Sequence, residues 1–263
     1  MKKLSIITIN FNNAAGLKKT LDSIAASSYP KGMVECRVID GGSTDGSVEI
    51  IKQFEHLLDS WVSEADNGIF DAMNKGMRAA EGEYLIFMNS GDWFAEGALS
   101  PELLTQLSGA IFYGDYLLFD GEKSIQQKQT PEIDFLYLII RTICHQALFM
   151  KTDLCRRYPF REDLRIIGDW MQLFTIMKKE DPEVVYYPKP ICHYDATGLS
   201  IQQNEKRLEQ REQFLREWYS EWELRHLRQL GRMRGRIWYS WVMKGLDSGK
   251  KHLILKNLSK WFR

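Results

Sequence analysis

The sequence predicts an α/β fold in which a doubly wound, mostly parallel sheet is flanked by helices and followed by a C-terminal helical extension. Three observations lead to this prediction. Short apolar segments alternate with amphipathic segments over residues 4–92, the apolar segments are hydrophobic on both faces, and acidic or amide residues follow where they end. Strands that are buried on both faces and joined by helices form parallel sheets, whose ligands bind at the carboxyl ends of the strands.

The first half of the chain has the clearest pattern of strands and helices. Leu4 to Asn10 is rich in isoleucine and apolar on both faces, which favours a buried parallel strand. Leu17, Leu21 and Ile24 then recur at helical spacing. The same two patterns repeat, and they predict strands at 34–39, 60–63 and 84–88, a helix at 48–54, and a helix capped by Asp66 or Asn67 that stops before Gly82.

Beyond residue 100 the pattern is looser. It predicts a strand or hairpin at 111–119, a strand at 146–150, a helix at 170–178, and a strongly charged helical segment at 200–230. We therefore divide the chain into a domain of residues 1–200 and a helical, basic extension of residues 201–263.

Charge is distributed unevenly along this neutral chain of 263 residues. Residues 225–263 contain eleven Lys or Arg against a single Asp, which leaves residues 1–224 with a net charge of about minus ten. The four cysteines lack C-x-x-C spacing, which disfavours a zinc site and predicts reduced thiols in a cytosolic protein. Polar residues interrupt the first apolar segment, so it does not resemble a signal peptide, and no apolar run approaches the roughly 20 residues of a membrane-spanning helix.

Two carboxylates follow strands of the predicted sheet. Asp40 is followed by two glycines, so it can accept a hydrogen bond from a base or ribose while the ligand approaches the backbone. Asp92 closes the turn 89–92, where a carboxylate can hold a divalent cation that bridges the oxygens of a nucleotide diphosphate. Each also fits an ordinary turn residue. Lys75 and Arg78 are cations available to phosphate oxygens, or solvated helix charges.

Motifs for other nucleotide chemistry are missing. The segment 41–47, GGSTDGS, lacks the Gly-Lys-Ser/Thr ending of a Walker loop, and no G-x-G-x-x-G follows the first strand. Nicotinamide chemistry is therefore disfavoured. A nucleotidyltransferase would need a basic, glycine-rich first loop to hold a triphosphate, and residues 10–16 contain no Lys or Arg.

The second half of the chain offers further candidates. Asp169 lies at a predicted helix start beside Trp170, where an acid can act as general base on an acceptor hydroxyl next to an aromatic platform, or simply cap the helix. His145 and Gln146 precede a predicted strand and can contact a sugar. His193 can supply a neutral imidazole to a metal. Lone histidines also serve structural roles.

Four ordered motifs occur at a consistent spacing, and three shorter ones follow downstream. The four are Ser5-Ile6-Ile7-Thr8 with Asn10, Val38 to Ser47, Asp66-Asn67-Gly68 with Asn74-Lys75-Gly76, and Ala80 to Asp92; the shorter ones are Cys144 to Ala147, Gly168-Asp169-Trp170 and Gly198-Leu199-Ser200. Together they resemble the family 2 glycosyltransferases of the GT-A fold, a Rossmann-like fold, particularly bacterial members that build capsular, exopolysaccharide or lipopolysaccharide chains. The resemblance covers residues 3–200, which would be the catalytic domain.

The resemblance implies an inverting transfer from a nucleotide-diphospho-sugar to a hydroxyl of a glycan or lipid-linked acceptor, with Mg²⁺ or Mn²⁺ as cofactor. It implies Asp169 as catalytic base, Asp92 at the metal and the diphosphate, and Asp40 at the nucleoside. Together with the other candidates, the predicted site has Asp169 as catalytic base, Asp92 and His193 as metal ligands, Thr8, Asn10, Asp40, Lys75 and Ser90 at the donor nucleotide, and His145, Gln146 and Trp170 at the acceptor or sugar.

The chain departs from the family pattern at two positions. Asp92 is the sole carboxylate of a metal motif that often has two, and Gly168 stands where an acid often precedes the base. Asp163 is the alternative base.

Two further interpretations stay open. A non-catalytic subunit that binds a sugar nucleotide or polysaccharide in an assembly complex would not need a complete metal motif. From residue 232 onward, basic residues interleave with Trp and Leu, which fits either an amphipathic segment on an anionic membrane or a helix packed on the domain. No nucleic acid partner is expected, because no reading module is present. We expect a cytoplasmic protein, peripheral on the inner face of the cytoplasmic membrane.

Overall fold

A computed structural model describes residues 2–30, 32–164, 166–197 and 204–232. Within these residues a nine-stranded sheet forms the centre of the molecule. Its strands are β1 (Leu4–Asn10), β2 (Val34–Asp40), β3 (Ser60–Ser63), β4 (Tyr84–Phe87), β5 (Trp93–Phe94), β6 (Ile111–Phe119), β7 (Ser124–Gln127), β8 (Leu148–Lys151) and β9 (Val184–Asp195).

Helices connect the strands and cover the sheet. They are α1 (Ala14–Ala25), α2 (Ser47–Gln53), α3 (Ile69–Ala79), α4 (Pro101–Gln106), α5 (Phe135–Ile140), α6 (Thr152–Arg157), α7 (Gly168–Glu180), α8 (Asn204–Trp218) and α9 (Glu221–Arg232). Short 3₁₀ turns lie at Glu55–Leu57 and His145–Ala147. In the part of the chain that is described, no helix combines the length and apolar character needed to cross a membrane.

The strand order is β3-β2-β1-β4-β8-β6-β9-β5, with β7 paired to β6. Strands β1 to β4 are mutually parallel, β8 and β6 run antiparallel to their neighbours β4 and β8, and β9 is parallel to β6. The register of β1 and β2 places Asn10 beside Asp40 at the carboxyl edge of the sheet. The predicted α/β class, with helices flanking a doubly wound sheet, is confirmed.

Two hydrophobic clusters cover the two faces of the sheet. Ile6 belongs to one cluster and Ile7 to the other, because successive side chains of a strand point to opposite faces. The first cluster includes residues of α1, α2 and α4, and the second includes residues of α3, α5, α7, α8 and α9. The candidate site lies at the carboxyl ends of the strands, where Asn10 and Asp40 stand side by side.

Helices α8 and α9 pack on the second face of the sheet. Phe214 of α8 contacts the rings of Phe174 and Trp170, and Leu224 and Leu227 of α9 are buried in the same cluster. Residues 204–232 therefore form helices that pack on the domain, whereas the choice between a membrane-bound and a packed segment concerned residue 232 onward and stays a prediction. Residues 233–263, which hold most of the predicted membrane-binding segment, lie outside the described residues, as does Gly198-Leu199-Ser200.

Two local predictions were wrong. The strand predicted at 146–150 begins at Leu148, because residues 145–147 form a 3₁₀ turn. The residue at the N-cap of α3 is Gly68, whose φ of 117° suits glycine, rather than Asp66 or Asn67. The Asp66 carboxylate instead accepts a hydrogen bond from the Gly68 amide.

Candidate active site

Asp40 occupies the carboxyl end of β2 and is completely buried. Its Oδ1 accepts hydrogen bonds from Asn10 Nδ2 at 2.7 Å and Ser43 Oγ at 2.6 Å. Its Oδ2 accepts from the Ser43 amide at 2.9 Å and Ser63 Oγ at 2.6 Å. Burial alone would raise the pKa of Asp40, but these four donors outweigh it and lower that pKa. Asp40 is therefore ionised, and its carboxylate connects the end of β1, the loop after β2 and the end of β3.

Asn10 and Phe11 flank this anchor at the end of β1. The Asn10 amide donates to Asp40, whereas its Oδ1 is buried without a hydrogen-bond partner. Such an orphaned acceptor is costly unless a ligand satisfies it. Phe11, which the sequence reasoning missed, is 63% exposed beside this position. The sequence did contain a signal for this role, because Phe11 is a large aromatic residue directly after Asn10, the polar residue that ends β1. Thr8, predicted at the nucleotide, is buried within β1.

The turn after β4 presents Asp92. Gly91 has a φ of 106°, which explains why this position of the metal motif carries no side chain. The Thr20 hydroxyl of α1 donates to the Asp92 carbonyl at 2.6 Å and fixes the turn to the helix. Ser90 lies in the same turn, where its carbonyl accepts from Asn13 Nδ2 at 3.1 Å.

The Asp92 carboxyl is 7% exposed and has two hydrogen-bond donors. Oδ1 accepts from the Asp195 amide at 2.9 Å, and Oδ2 accepts from Gln146 Nε2 at 2.7 Å. Burial raises the pKa of Asp92 to about 6 despite these bonds. When the Asp92 carboxyl is ionised, the neighbouring protein groups therefore do not fully stabilise its negative charge.

Asp169 and His145 form a pair on the other side of Gln146. Asp169 lies in the first turn of α7, and its Oδ2 is 3.0 Å from His145 Nδ1. The ring's Nε2 is 3.4 Å from Asn89 Nδ2. Burial opposes ionisation of both groups, but their mutual bond outweighs it, so the pKa of His145 is raised and that of Asp169 is lowered.

Gly168 and Trp170 show how α7 is seated. A Cβ at Gly168 would lie 2.6 Å from the Phe70 ring, so an acid at this position, as in the family pattern, would force the ring to shift. Trp170 is 5% exposed, and its indole N–H donates to the Leu138 carbonyl at 2.9 Å. The prediction of Trp170 as an acceptor platform is wrong, because the ring packs in the core.

His193 lies opposite Trp93 in the pairing of β5 with β9. The two rings stack with centroids 4.4 Å apart and planes 6° apart, and His193 Nδ1 is 2.8 Å from Ser124 Oγ. Burial and the charge of Lys19 lower the pKa of His193, so the imidazole is neutral. Within the described residues no contact joins His193 to Asp92, which does not support the prediction that they share a metal.

Lys19 was missed by the sequence reasoning. Its ammonium lies 3.2 Å from the centre of the Trp93 ring and 4.5 Å from that of Phe119. Burial lowers the pKa of Lys19, while the charges of Asp195 and Asp92 oppose this change. A partly buried cation thus lies near the Asp92 turn, and only the folded chain reveals it.

Lys75 and Asp163, two other predicted residues, already have charge partners. The Lys75 ammonium is 3.0 Å from Glu64 and 3.4 Å from Asp71, so its charge is compensated within the protein. Asp163, the alternative base, is exposed and paired with Arg161 at 2.6 Å. No contact in the described ranges ties Asp163 to the His145 pair, and Asp169 remains the better candidate.

The residues of the described structure contain no cluster of three or more His, Cys, Asp or Glu side chains that could hold a metal. Asp92 is an oxygen ligand of the type that Mg²⁺ and Mn²⁺ prefer. Mg²⁺ often binds through one or two carboxylates together with substrate phosphates. The site therefore fits a divalent ion that shares Asp92 with a diphosphate, and it does not fit an ion held by the protein alone.

Comparison with known proteins adds independent information. The family model described as glycosyl transferase family 2 matches residues 5–154. An uncharacterized glycosyltransferase of Mycobacterium tuberculosis is 41% identical over 202 residues, covering 74% of this chain and 76% of the relative. A PGL/p-HBAD biosynthesis glycosyltransferase of Mycobacterium bovis is 31% identical over 204 residues, covering 74% of this chain and 77% of the relative.

Two solved structures share the fold. S. aureus TarS 1-349 in complex with UDP aligns with a TM-score of 0.63 at 20% identity, over 74% of this chain and 60% of that chain. The mannosyltransferase PcManGT from Pyrobaculum calidifontis, in complex with GDP-Man and Mn²⁺, aligns with a TM-score of 0.61 at 16% identity, over 98% of this chain and 83% of that chain.

Proposed function

The chain belongs to glycosyl transferase family 2, and on that premise we propose that it moves a sugar from a nucleotide-diphospho-sugar to a hydroxyl of a glycan or lipid-linked acceptor, with inversion at the anomeric carbon. One observation carries this proposal: the consecutive residues His145 and Gln146 contact Asp169 and Asp92, so two carboxylates share one site. A direct displacement needs a group at the leaving diphosphate and another at the attacking hydroxyl.

The donor nucleoside would bind over the ends of β1 and β2. The unpartnered Oδ1 of Asn10 would accept a hydrogen bond from the ligand, and the exposed Phe11 ring offers a surface for the base. Asp40 would act by holding Asn10 and Ser43 in place, because both its oxygens are already engaged. Ser90 lies in the same turn as Asp92 and would approach the diphosphate.

A divalent cation would be held by Asp92 together with the donor's phosphates. The buried, incompletely compensated carboxylate supports this assignment, and a Mn²⁺ complex is known for the fold relative PcManGT. When bound, such an ion would neutralise charge on the departing diphosphate. Lys19 is a second source of positive charge near this turn.

The chemical step is a single displacement. The acceptor oxygen forms a bond to the anomeric carbon while the bond from that carbon to the diphosphate oxygen breaks, and its electron pair leaves with the diphosphate. Asp169 accepts the acceptor's hydroxyl proton as general base. Attack from the face opposite the diphosphate inverts the anomeric carbon without a covalent sugar–enzyme intermediate.

The acceptor would belong to a cell-surface glycan or glycolipid. A relative at 31% identity is named for PGL/p-HBAD biosynthesis, which supports this class of product. We expect a cytoplasmic enzyme that works at the inner face of the membrane, with residues 233–263 contacting anionic lipid. Arg225, Arg228 and Arg232 of α9 line a cleft of about 310 Å³ together with Glu212 and Glu221, which compensate part of the positive charge there.

A ligand screen followed by a turnover assay tests the function. Thermal shift with UDP, GDP, dTDP and CDP, each with and without Mn²⁺ or Mg²⁺, should give one metal-dependent hit, because a specific ligand stabilises the folded state. The sugar forms of that nucleotide should then release free sugar slowly in the wild type and not in Asp92→Ala. Asp153→Ala serves as the matched control, since the Asp153 side chain is exposed and its charge partner is Arg156 on the same helix.

The outcome also separates the rival interpretation. Asp92 is the sole carboxylate of its turn, which is the observation that favours a non-catalytic binding subunit. That interpretation would gain if a nucleotide binds but no sugar is released from any donor. Binding of no nucleotide at all would reject the transferase and a subunit that binds a sugar nucleotide.

A further inference from the structure

We propose that His145 is a positioning residue for the base: its ring holds one oxygen of Asp169 so that the other faces the acceptor hydroxyl, while Gln146 of the same turn holds Asp92. The inference rests on the proposed function and deepens it, because it makes the turn His145–Ala147 the element that sets the spacing of the two carboxylates. Both residues were predicted to contact the acceptor or sugar, and the structure gives them other partners.

The hydrogen bonds around the imidazole define its orientation. Nδ1 is 3.0 Å from Asp169 Oδ2 and Nε2 is 3.4 Å from Asn89 Nδ2. With a proton on Nδ1, the ring donates to the carboxylate and accepts from the amide, so both nitrogens are used. The side chains of His145 and Asp169 are 23% and 27% exposed, so an acceptor can still reach the pair.

Gln146 completes the coupling. Its Nε2 donates to Asp92 Oδ2 at 2.7 Å, and its Oε1 accepts from the Cys144 thiol at 3.2 Å. Both ends of the amide are therefore occupied, and the residue is 3% exposed. Because His145 and Gln146 are consecutive in one 3₁₀ turn, a shift of one carboxylate would move the anchor of the other.

The charges around the ring support a proton-sharing pair. Asp169 of α7 and Asp92 of the turn after β4 face the imidazole, together with the Cys144 thiol of its own turn. Burial disfavours the imidazolium, but the hydrogen bond to Asp169 and the negative charges of Asp169 and Asp92 outweigh it and raise the pKa of His145. When the ring loses its extra proton, the Asp169 carboxylate loses a neighbouring positive charge and becomes a stronger base. A half-turn of the Asn89 amide would bring its unpartnered Oδ1 to Nε2 and suit the imidazolium state.

Two isosteric substitutions test the role in turnover. An asparagine amide nitrogen occupies the place of Nδ1 and a glutamine nitrogen that of Nε2, so His145→Asn keeps a donor to Asp169 and His145→Gln does not. We expect His145→Gln to lower kcat by about 10- to 100-fold, part of the roughly 10²- to 10⁴-fold contribution of a general base, with the donor KM little changed. His145→Asn should lose less activity than His145→Gln. Because asparagine does not take up a proton, this variant should also lack the fall in kcat at low pH that we expect protonation of His145 to cause in the wild type.

A second measurement follows the pair without any turnover. In full-length protein labelled with ¹⁵N-histidine, Asp169→Asn should lower the pKa of His145 measured by NMR, and His56→Gln, an exposed histidine in a 3₁₀ turn, should leave it unchanged. Equal kcat in His145→Gln, His145→Asn and an active wild type, or an unmoved His145 pKa in Asp169→Asn, would overturn the positioning role alone. Absence of sugar transfer by the wild type would instead overturn the proposed function and this role with it.

Discussion

Replacing Asp92 by asparagine should stabilise the protein at alkaline pH. The carboxyl is buried, and its pKa of about 6 lies above the ordinary value of 3.8. The folded state therefore holds the proton more tightly than the unfolded state, so stability falls as pH rises from about 4 to about 6, and the full penalty is present above that range. At about 1.36 kcal/mol per pH unit, the difference corresponds to about 3 kcal/mol. Asparagine removes the charge, and the Gln146 amide can rotate to pair with it.

Urea unfolding of wild type and Asp92→Asn, without metal or nucleotide, measures this free energy. The gain should be about 3 kcal/mol at pH 8 and should shrink as pH falls from 6 toward 4, because the wild-type carboxyl then takes up its proton. Asp163→Asn is the matched control, and it should not stabilise, because that exposed carboxylate has a lowered pKa beside Arg161. Equal stability of wild type and Asp92→Asn at pH 8, or an equal gain at pH 8 and pH 4.5, would refute the reasoning.

Four other substitutions test neighbouring parts of the structure. Asp40→Asn should destabilise by about 2–3 kcal/mol at pH 7, less as pH falls through the lowered pKa of Asp40, as urea unfolding at several pH values would show. Phe11→Ala should weaken nucleotide binding by about 1–3 kcal/mol in calorimetry while the melting temperature stays the same, since the ring is exposed. Gly168→Ala should lower the melting temperature, at a cost of about 1–3 kcal/mol, because its Cβ would strike the Phe70 ring. Phe214→Ala should cost about 3–5 kcal/mol in urea unfolding if α8 belongs to the core; an unchanged midpoint would contradict that packing.

The strands of the first half were predictable because their side-chain pattern is local. A segment such as Leu4–Asn10, apolar on both faces, has few alternatives to a buried parallel strand, and its end fixes where Asn10 lies. The same rule places Asp40 and Asp92 at one edge of the sheet, since the carboxyl ends of parallel strands share an edge.

Other features depend on contacts between distant residues. Nothing near His145 in the sequence indicates Asp169, and nothing near Lys19 indicates the Trp93 ring. Trp170 is different, because its helical spacing with Leu173, Phe174 and Met177 already indicated the apolar face of α7. The periodicity was the better guide, and the acceptor role assigned to the ring ignored it.

The two buried carboxylates at the strand ends show how the fold divides anchoring from chemistry. Asp40 has four hydrogen-bond donors and a lowered pKa, so the protein itself stabilises its negative charge, and the carboxylate holds the ends of β1 and β3 and the loop after β2. Asp92 is as deeply placed but has two donors and a raised pKa, so its charge lacks compensation in the isolated chain. A protein that only needed a stable turn would gain by losing that charge. Its presence is explained if a cation or an activated sugar donor supplies the missing interaction during the reaction.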